Sequence, residues 1–133
     1  MKINKSAWNI SVKNRASYLK HVQQYFTFSP SQLASLLTEV ANKAGYTTRL
    51  NPITGGAVIS HAKSGKAPLW LCRAALDLIL TQGYLPDSDD EWVTLVALLL
   101  LNVEGELTSS FMSSLPEQVN KFAFKEWVSI VEY

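Results

Sequence analysis

Apolar residues recur every three or four positions along several stretches of the chain, and this spacing predicts α-helices. The clearest is the segment 30–44, where Leu and Ala supply the apolar side. Ser29 and Gln32 fit a capping box, Pro30 suits the first helical position, and Gly45 suits a left-handed end. A helix with both ends marked is therefore predicted over these residues.

Two strongly apolar helices are predicted in the second half of the chain. The first covers 68–82, and the second follows a capping box of Ser88 and Glu91. From Trp92 to Val103 nearly every residue is apolar. Because a helix that is apolar on all sides is buried on all sides, 92–103 is expected to be the central element.

Three other segments have shorter or mixed patterns. A helix is predicted over 15–26 from the apolar spacing of its residues. Residues 1–12 alternate weakly between apolar and polar, which fits a short edge strand or an ordered arm. The segment 122–131 fits either a helix or a strand, and the pattern leaves both open.

The period of the apolar pattern changes after Gly45. Residues 46–50 and 57–61 are short and rich in β-branched side chains, and Asn, Pro, Thr and Gly separate them, which predicts a β-hairpin. Since two strands are marginal in water, residues 1–12 are expected to add a third. The predicted fold class is α+β and mostly helical: about five helices around the central helix 92–103, with a small β-hairpin or three-stranded antiparallel sheet over 46–61.

Length and composition suit one globular domain over residues 1–133. Cys72 is the only cysteine, so no intrachain disulfide is expected. No apolar segment follows the basic N-terminus, and the longest apolar stretch is about half a membrane span. The sequence therefore favours a cytoplasmic protein without a membrane partner.

The charge distribution is strongly asymmetric along the sequence. Residues 1–66 carry nine Lys or Arg against one acid, whereas residues 67–133 carry three against ten. Three interpretations are open: the halves neutralise each other when they pack, the basic half binds nucleic acid, or one pole recognises an oppositely charged protein, including a second copy. The asymmetry directs the search for function towards partners.

Candidate chemistry is sparse. His21 and His61 have no neighbouring nucleophile or orienting acid in the sequence, and Cys72 completes no metal-ligand spacing. Ser64-Gly65-Lys66 precedes a predicted helix but lacks the first glycine and the final hydroxyl of a phosphate-binding loop. We therefore expect no enzyme activity, no cofactor and no metal.

The favoured function is a non-enzymatic cytosolic protein-binding module of inhibitor, immunity or adaptor type, which recognises another protein through opposed charged surfaces. The alternative is a nucleic-acid-binding regulator that uses the basic N-terminal half and the hairpin. A homodimer is a further option, required if the chain's own helices leave 92–103 uncovered. The residues expected to bind a partner are aromatic or cationic and lie in the basic half: Trp8, Lys13, Arg15, Lys20, Lys43, Arg49, Lys63 and Lys66.

Overall fold

The computed structural model describes residues 2–133, which form eight α-helices. They are α1 (Lys5–Asn14), α2 (Ser17–Tyr25), α3 (Pro30–Ala44), α4 (Gly55–Ser64), α5 (Leu69–Thr81), α6 (Asp89–Leu100), α7 (Ser109–Ser114) and α8 (Lys121–Val131). Within the described residues, the extended pairing is one isolated antiparallel bridge between Ile3 and Glu132. The predicted α+β class is therefore wrong, because residues 46–61 contain neither a hairpin nor a sheet.

The helices form two compact units. We call residues 15–82 the middle unit, and residues 2–14 together with 83–133 the terminal unit. In the middle unit, α4 and α5 each contact both α2 and α3. In the terminal unit, α6 contacts both α1 and α8, and α1 also contacts α8.

Helix α1 replaces the edge strand or arm predicted over residues 1–12. The Asn4 side-chain oxygen accepts a 2.8 Å hydrogen bond from the backbone N–H of Ala7 and so caps the helix. Ala7 and Ser11, one turn apart, are the buried residues of α1, whereas Val12 is 42% exposed. The alternation of large apolar residues was misleading because small residues form the buried face.

Helix α4 replaces the second strand of the predicted hairpin. The hydroxyl of Thr54 accepts a 3.0 Å hydrogen bond from the backbone of the first turn. The buried residues of α4 are Gly55, Val58 and Ala62, which follow a helical spacing of three and four. Two of the three are small, so the β-branched residues of this segment dominated the pattern and suggested a strand.

The helices predicted from caps and apolar spacing are present. Helices α2, α3 and α5 lie within or close to their predicted bounds, and α3 has the capping box of Ser29 and Gln32. Helix α6 ends at Leu100 rather than Val103. Residues 122–131 are helical, so the strand alternative for them is wrong.

Helix α6 is the central helix of the terminal unit. Every residue from Val93 to Leu98 is buried, so the protein's own chain covers the apolar helix and a second copy is not needed for that purpose. Among residues 2–133, no helix has both the length and the apolar character needed to cross a bilayer.

Candidate partner-binding groove

A groove of about 690 Å³ opens in the middle unit, where α2 and the beginning of α3 flank α4. Its lining combines apolar residues with amide and cationic side chains and includes no acid: Lys20, Gln23, Gln24, Phe28, Pro30, Leu33, Ile59, Ala62 and Lys63.

The floor of the groove is apolar and only partly covered. Leu33 and Ala62 are buried in the core, whereas Phe28 is 46% exposed and Ile59 is 45% exposed. Large apolar side chains that stay half exposed inside a concave surface are typical of binding sites for apolar groups. This part of the groove is therefore suited to an apolar side chain of a partner.

The start of α3 holds Phe28 in place. Ser29 and Gln32 close a reciprocal capping box with hydrogen bonds of 3.2 and 2.9 Å. Phe28 precedes the cap and Leu33 lies in the first turn, which are the two positions of a hydrophobic staple. The ring of Phe28 also stacks on Phe26 with centroids 5.7 Å apart. The staple gives Phe28 a structural role, yet nearly half of its surface remains available.

Helices α3 and α4 approach each other at their first residues. A Cβ atom added to Gly55 would lie 2.7 Å from the backbone nitrogen of Ser31 and 2.8 Å from the carbonyl carbon of Pro30. Only glycine allows the two backbones this close, and this contact fixes where α4 lies beneath the groove.

The other end of α4 is closed by a local cap. Gly65 adopts φ +73°, and its N–H donates to the carbonyl of His61 at 3.2 Å. His61 Nδ1 lies 2.9 Å from the carbonyl oxygen of Lys66. Because a carbonyl can only accept, Nδ1 carries the proton, and this contact gives His61 a structural role in the cap.

The cations at the groove are not neutralised locally. Lys20 and Lys63 are both exposed, and neither forms an ion pair with any residue in the described range. The middle unit carries seven Lys or Arg against two acids, Glu39 and Asp77. Lys20 and Lys63 are therefore available to an acidic partner.

Both acids of the middle unit are already paired with other cations. Glu39 and Lys43 form an exposed ion pair at 2.8 Å, whose hydrogen bond lowers the pKa of Glu39 and raises the pKa of Lys43. Asp77 is paired with Arg73 one turn earlier on α5. Neither acid lines the groove.

A polar cluster links the end of α3 to α5. The Tyr46 hydroxyl donates a 2.6 Å hydrogen bond to Asp77, and the guanidinium of Arg73 lies 5.1 Å from the centroid of the Tyr46 ring. Burial, together with the hydrogen bond to Asp77, raises the pKa of Tyr46 to about 12. Because these side chains bond to one another, we assign the cluster to stability.

The structure brings two of the predicted binding residues, Lys20 and Lys63, together in the groove. Lys43 and Arg49 line a second cavity of about 200 Å³ beside the exposed Leu50. The remaining four lie elsewhere: Arg15 beside Cys72 in the middle unit, Lys66 exposed after α4, and Trp8 and Lys13 on α1 of the terminal unit. Trp8 lies in helix α1, so the edge strand or ordered arm expected for its segment is wrong.

Sequence reasoning missed the uncharged part of the groove. Ile59 and Lys63 are one turn apart on α4 and share a face, but the strand prediction separated them. Gln23 and Gln24 follow Lys20 on α2 at the spacing of one helical face. A helix prediction over 55–64 would have placed Ile59 and Lys63 on one face.

Neither metal-ligand geometry nor comparison with known proteins adds a further constraint on the site. In the part of the chain that the structure describes, no three His, Cys, Asp or Glu side chains lie together in a way that could hold a metal ion. The chain matches no protein family, no curated protein and no solved structure.

Proposed function

We propose that this chain is a cytoplasmic protein-binding module, of inhibitor, immunity or adaptor type, and that it catalyses no reaction. Its groove binds an acidic segment of another protein that carries apolar side chains. The observation that supports this function is the pair of half-exposed apolar residues, Phe28 and Ile59, in a groove whose only charged residues are Lys20 and Lys63.

Burial of the groove floor supplies affinity. Covering the exposed parts of Phe28 and Ile59 removes on the order of 200 Å² of apolar surface, or about 5 kcal/mol at 25 cal/mol per Å². Association entropy offsets much of this gain, and contacts from the partner's own side chains add to it. A single peptide segment is therefore expected to bind with a dissociation constant on the order of 10 µM.

The two lysines supply specificity and orientation. Acidic side chains beside the apolar residues of a partner meet Lys20 and Lys63, while a basic segment would be repelled by both. An amphipathic helix satisfies both requirements, because apolar residues along one face can be flanked by Glu or Asp. The preferred ligand is thus an acidic amphipathic helix.

The groove favours a protein segment over nucleic acid. The nucleic-acid hypothesis relied on the basic N-terminal half and a hairpin, and residues 46–61 contain no hairpin. Binding a phosphate backbone requires a row of cations, whereas five of the nine lining residues are apolar and two are cationic. Because the middle unit carries further cations, nucleic-acid binding is the competing outcome of the test.

Fluorescence anisotropy with labelled peptides tests the proposal. The probes are two 16-residue amphipathic helices, one with Leu and one with Phe on the apolar face, each flanked by Glu. We expect micromolar binding at about 50 mM salt, weakening as salt rises because exposed charges are screened. Versions with Gln in place of Glu should bind at least tenfold more weakly.

Charge-matched variants locate the site. Lys20→Glu/Lys63→Glu should weaken binding of the Glu peptides by tenfold or more. Arg49→Glu/Lys66→Glu makes the same change in net charge on exposed residues outside the groove lining and should change binding less than threefold. Equal losses in both variants, no binding of either Glu peptide at 500 µM, or tighter binding of a labelled 20-base-pair DNA would overturn the proposal.

A further inference from the structure

The segment 84–90 of the terminal unit, which leads into α6, begins with an alternation of buried and exposed residues. Tyr84 and Pro86 are buried, whereas Leu85 is 45% exposed and Asp87 is exposed. This alternation is that of an extended chain, in which every second side chain points to the same side. Leu85 and Asp87 therefore project outwards together.

Local hydrogen bonds hold this segment in place. The backbone N–H of Asp87 donates to the carboxylate of Glu91 at 2.9 Å, and the side-chain amide of Gln118 donates to the carbonyl of Tyr84 at 3.5 Å. The hydroxyl of Ser88 caps α6 by accepting from the N–H of Glu91 at 3.2 Å. A segment fixed in this way loses little conformational entropy when it binds.

The sequence around Leu85 is acidic. Asp87, Asp89 and Asp90 lie within five residues of it, and no Lys or Arg does. All three acids are exposed, and within residues 2–133 none of them forms an ion pair. The segment thus combines an exposed apolar side chain with carboxylates that are available to cations.

The groove of the middle unit has the complementary character. Phe28 and Ile59 form its half-exposed apolar floor, and Lys20 and Lys63 are its only charged residues. From this match we infer that the groove of one copy binds the segment 84–90 of a second copy, with the exposed leucine on the floor and the acids beside the lysines. The inference takes its site from the proposed function, because it assigns an occupant to the same groove.

This contact joins two different surfaces of the chain. Such an interface is heterologous, so copies can add head to tail. The middle unit is net basic and the terminal unit net acidic, which favours the approach of unlike units from two copies. Self-association and an external partner compete for one groove, so binding of the partner releases monomers.

The self-association is expected to be weak. The segment offers one large apolar side chain, and the contact is smaller than a standard stable interface. We expect a dissociation constant on the order of 1 mM at ~50 mM salt, rising severalfold at ~500 mM salt as the charges are screened. At about 50 µM the chain is therefore almost entirely monomeric.

Amide chemical shifts of the ¹⁵N-labelled full chain, followed during dilution from about 1 mM to about 50 µM, test the inference. Shifts that depend on concentration should fall on two patches, the groove and residues 84–90. Leu85→Ser/Asp87→Asn, the segment variant, removes the exposed leucine and one charge. Lys20→Glu/Lys63→Glu, the groove variant, reverses the charge of the groove. Each variant alone should associate at least tenfold more weakly than the wild type.

Phe122→Ser/Glu126→Gln is the matched control for the segment variant. It also removes one exposed apolar side chain and one exposed acid from the terminal unit, but on α8. Its dilution shifts should stay within twofold of the wild-type shifts. An equal loss of association in this control and in the segment variant would contradict a contact through residues 84–90.

Mixing the two variants identifies the surface that each copy contributes. The segment variant keeps its groove and the groove variant keeps its segment, so an equimolar mixture restores one contact and stops at a heterodimer. When the groove variant carries the label, shifts should fall on residues 84–90; when the segment variant carries it, they should fall on the groove. This restoration requires that both variants are folded.

A wild-type chain whose amide shifts do not change up to about 1 mM overturns the inference, and so does a mixture in which neither labelled variant shifts. The proposed function survives either result if the Glu peptides still bind in the groove. If both Glu peptides fail to bind while dilution and mixing give the expected shifts, the proposed function fails and the self-association holds.

Discussion

At the scale of single residues, two adjacent glycines in α4 have different roles. A Cβ on Gly55 would collide with backbone atoms of Ser31 and Pro30, whereas a Cβ on Gly56 would meet only the Thr54 hydroxyl at 3.9 Å. We predict that Gly55→Ala lowers the free energy of unfolding by about 1–3 kcal/mol, because the helices are forced apart. Urea unfolding followed by tryptophan fluorescence measures the change.

Gly56→Ala is the matched control. It adds the same methyl group to a helical residue with open space around it. The free energy of unfolding should stay the same or rise by about 0.5–1 kcal/mol, since alanine loses less backbone entropy than glycine in a helix. Equal destabilisation by both substitutions would contradict the close approach of α3 and α4.

Tyr46→Phe tests the hydrogen bond between the segment that follows α3 and helix α5. The substitution keeps the ring beneath Arg73 and removes the hydroxyl that donates to Asp77. At pH 8 the free energy of unfolding should fall by about 1–2 kcal/mol. Tyr25→Phe alters an exposed tyrosine and should change the free energy of unfolding by less than about 0.5 kcal/mol.

The effect of Tyr46→Phe should depend on alkaline pH. Burial and the bond to Asp77 raise the pKa of Tyr46 to about 12 in the folded protein, whereas the unfolded chain ionises near 10. Tyr46 therefore contributes its full stabilisation below pH 10 and loses it as pH rises through 12. Urea unfolding at pH 8 and pH 11 should show a smaller difference between wild type and Tyr46→Phe at pH 11; a constant difference would contradict this role.

At the scale of elements, one asparagine joins the two ends of the terminal unit. Asn4 caps α1 through its side-chain oxygen, and its side-chain N–H groups donate to the carbonyls of Ile130 at 2.8 Å and Glu132 at 3.3 Å. Asn4→Ala should lower the free energy of unfolding by about 1–2 kcal/mol, because the cap and both bonds are lost. Hydrogen exchange should accelerate for the backbone amides of α1.

Asn9→Ala provides the comparison for this prediction. Asn9 is an exposed residue in the middle of α1, and replacing it with alanine should change stability by less than about 0.5 kcal/mol. If the two substitutions have the same effect, Asn4 is not the residue that secures α1.

The elements predicted correctly are those with local signals. Helix α3 has a capping box at one end and a left-handed glycine at the other. Helix α6 has a serine cap and an acidic first turn before a nearly continuous apolar run. Helices α1 and α4 have caps too, but their buried faces are built largely from Ala7, Ser11, Gly55 and Ala62. A periodic pattern of large apolar residues indicates a helix only when those residues form its buried face. It therefore does not reveal helices that pack through small residues.

At the scale of the whole molecule, the difference in net charge between the two units is smaller than the difference between the two halves of the sequence. Lys2, Lys5 and Lys13 belong to the terminal unit, which carries five Lys or Arg against nine acids. The middle unit keeps seven against two. The middle unit therefore remains net basic and the terminal unit net acidic, but the difference in net charge is smaller than that between the two halves of the sequence.

The candidate site was only half predictable from sequence. Lys20 and Lys63 were selected because they are cationic, but the sequence could not show that tertiary packing places them beside one groove. Phe28 and Ile59 were missed because exposure of an apolar residue depends on which helices cover it. Such coverage is set by contacts distant in sequence, which local periodicity does not contain.

The most direct test of the account maps peptide binding onto the labelled protein. A ¹⁵N-labelled full chain is titrated with the Glu-flanked Leu peptide and followed by amide chemical shifts. The largest shifts should fall on α2, on residues 28–33 and on α4, with little change at Arg49 or in the terminal unit. Saturable shifts centred on any other surface, with the groove amides unmoved, would contradict the claim that this groove is the binding site.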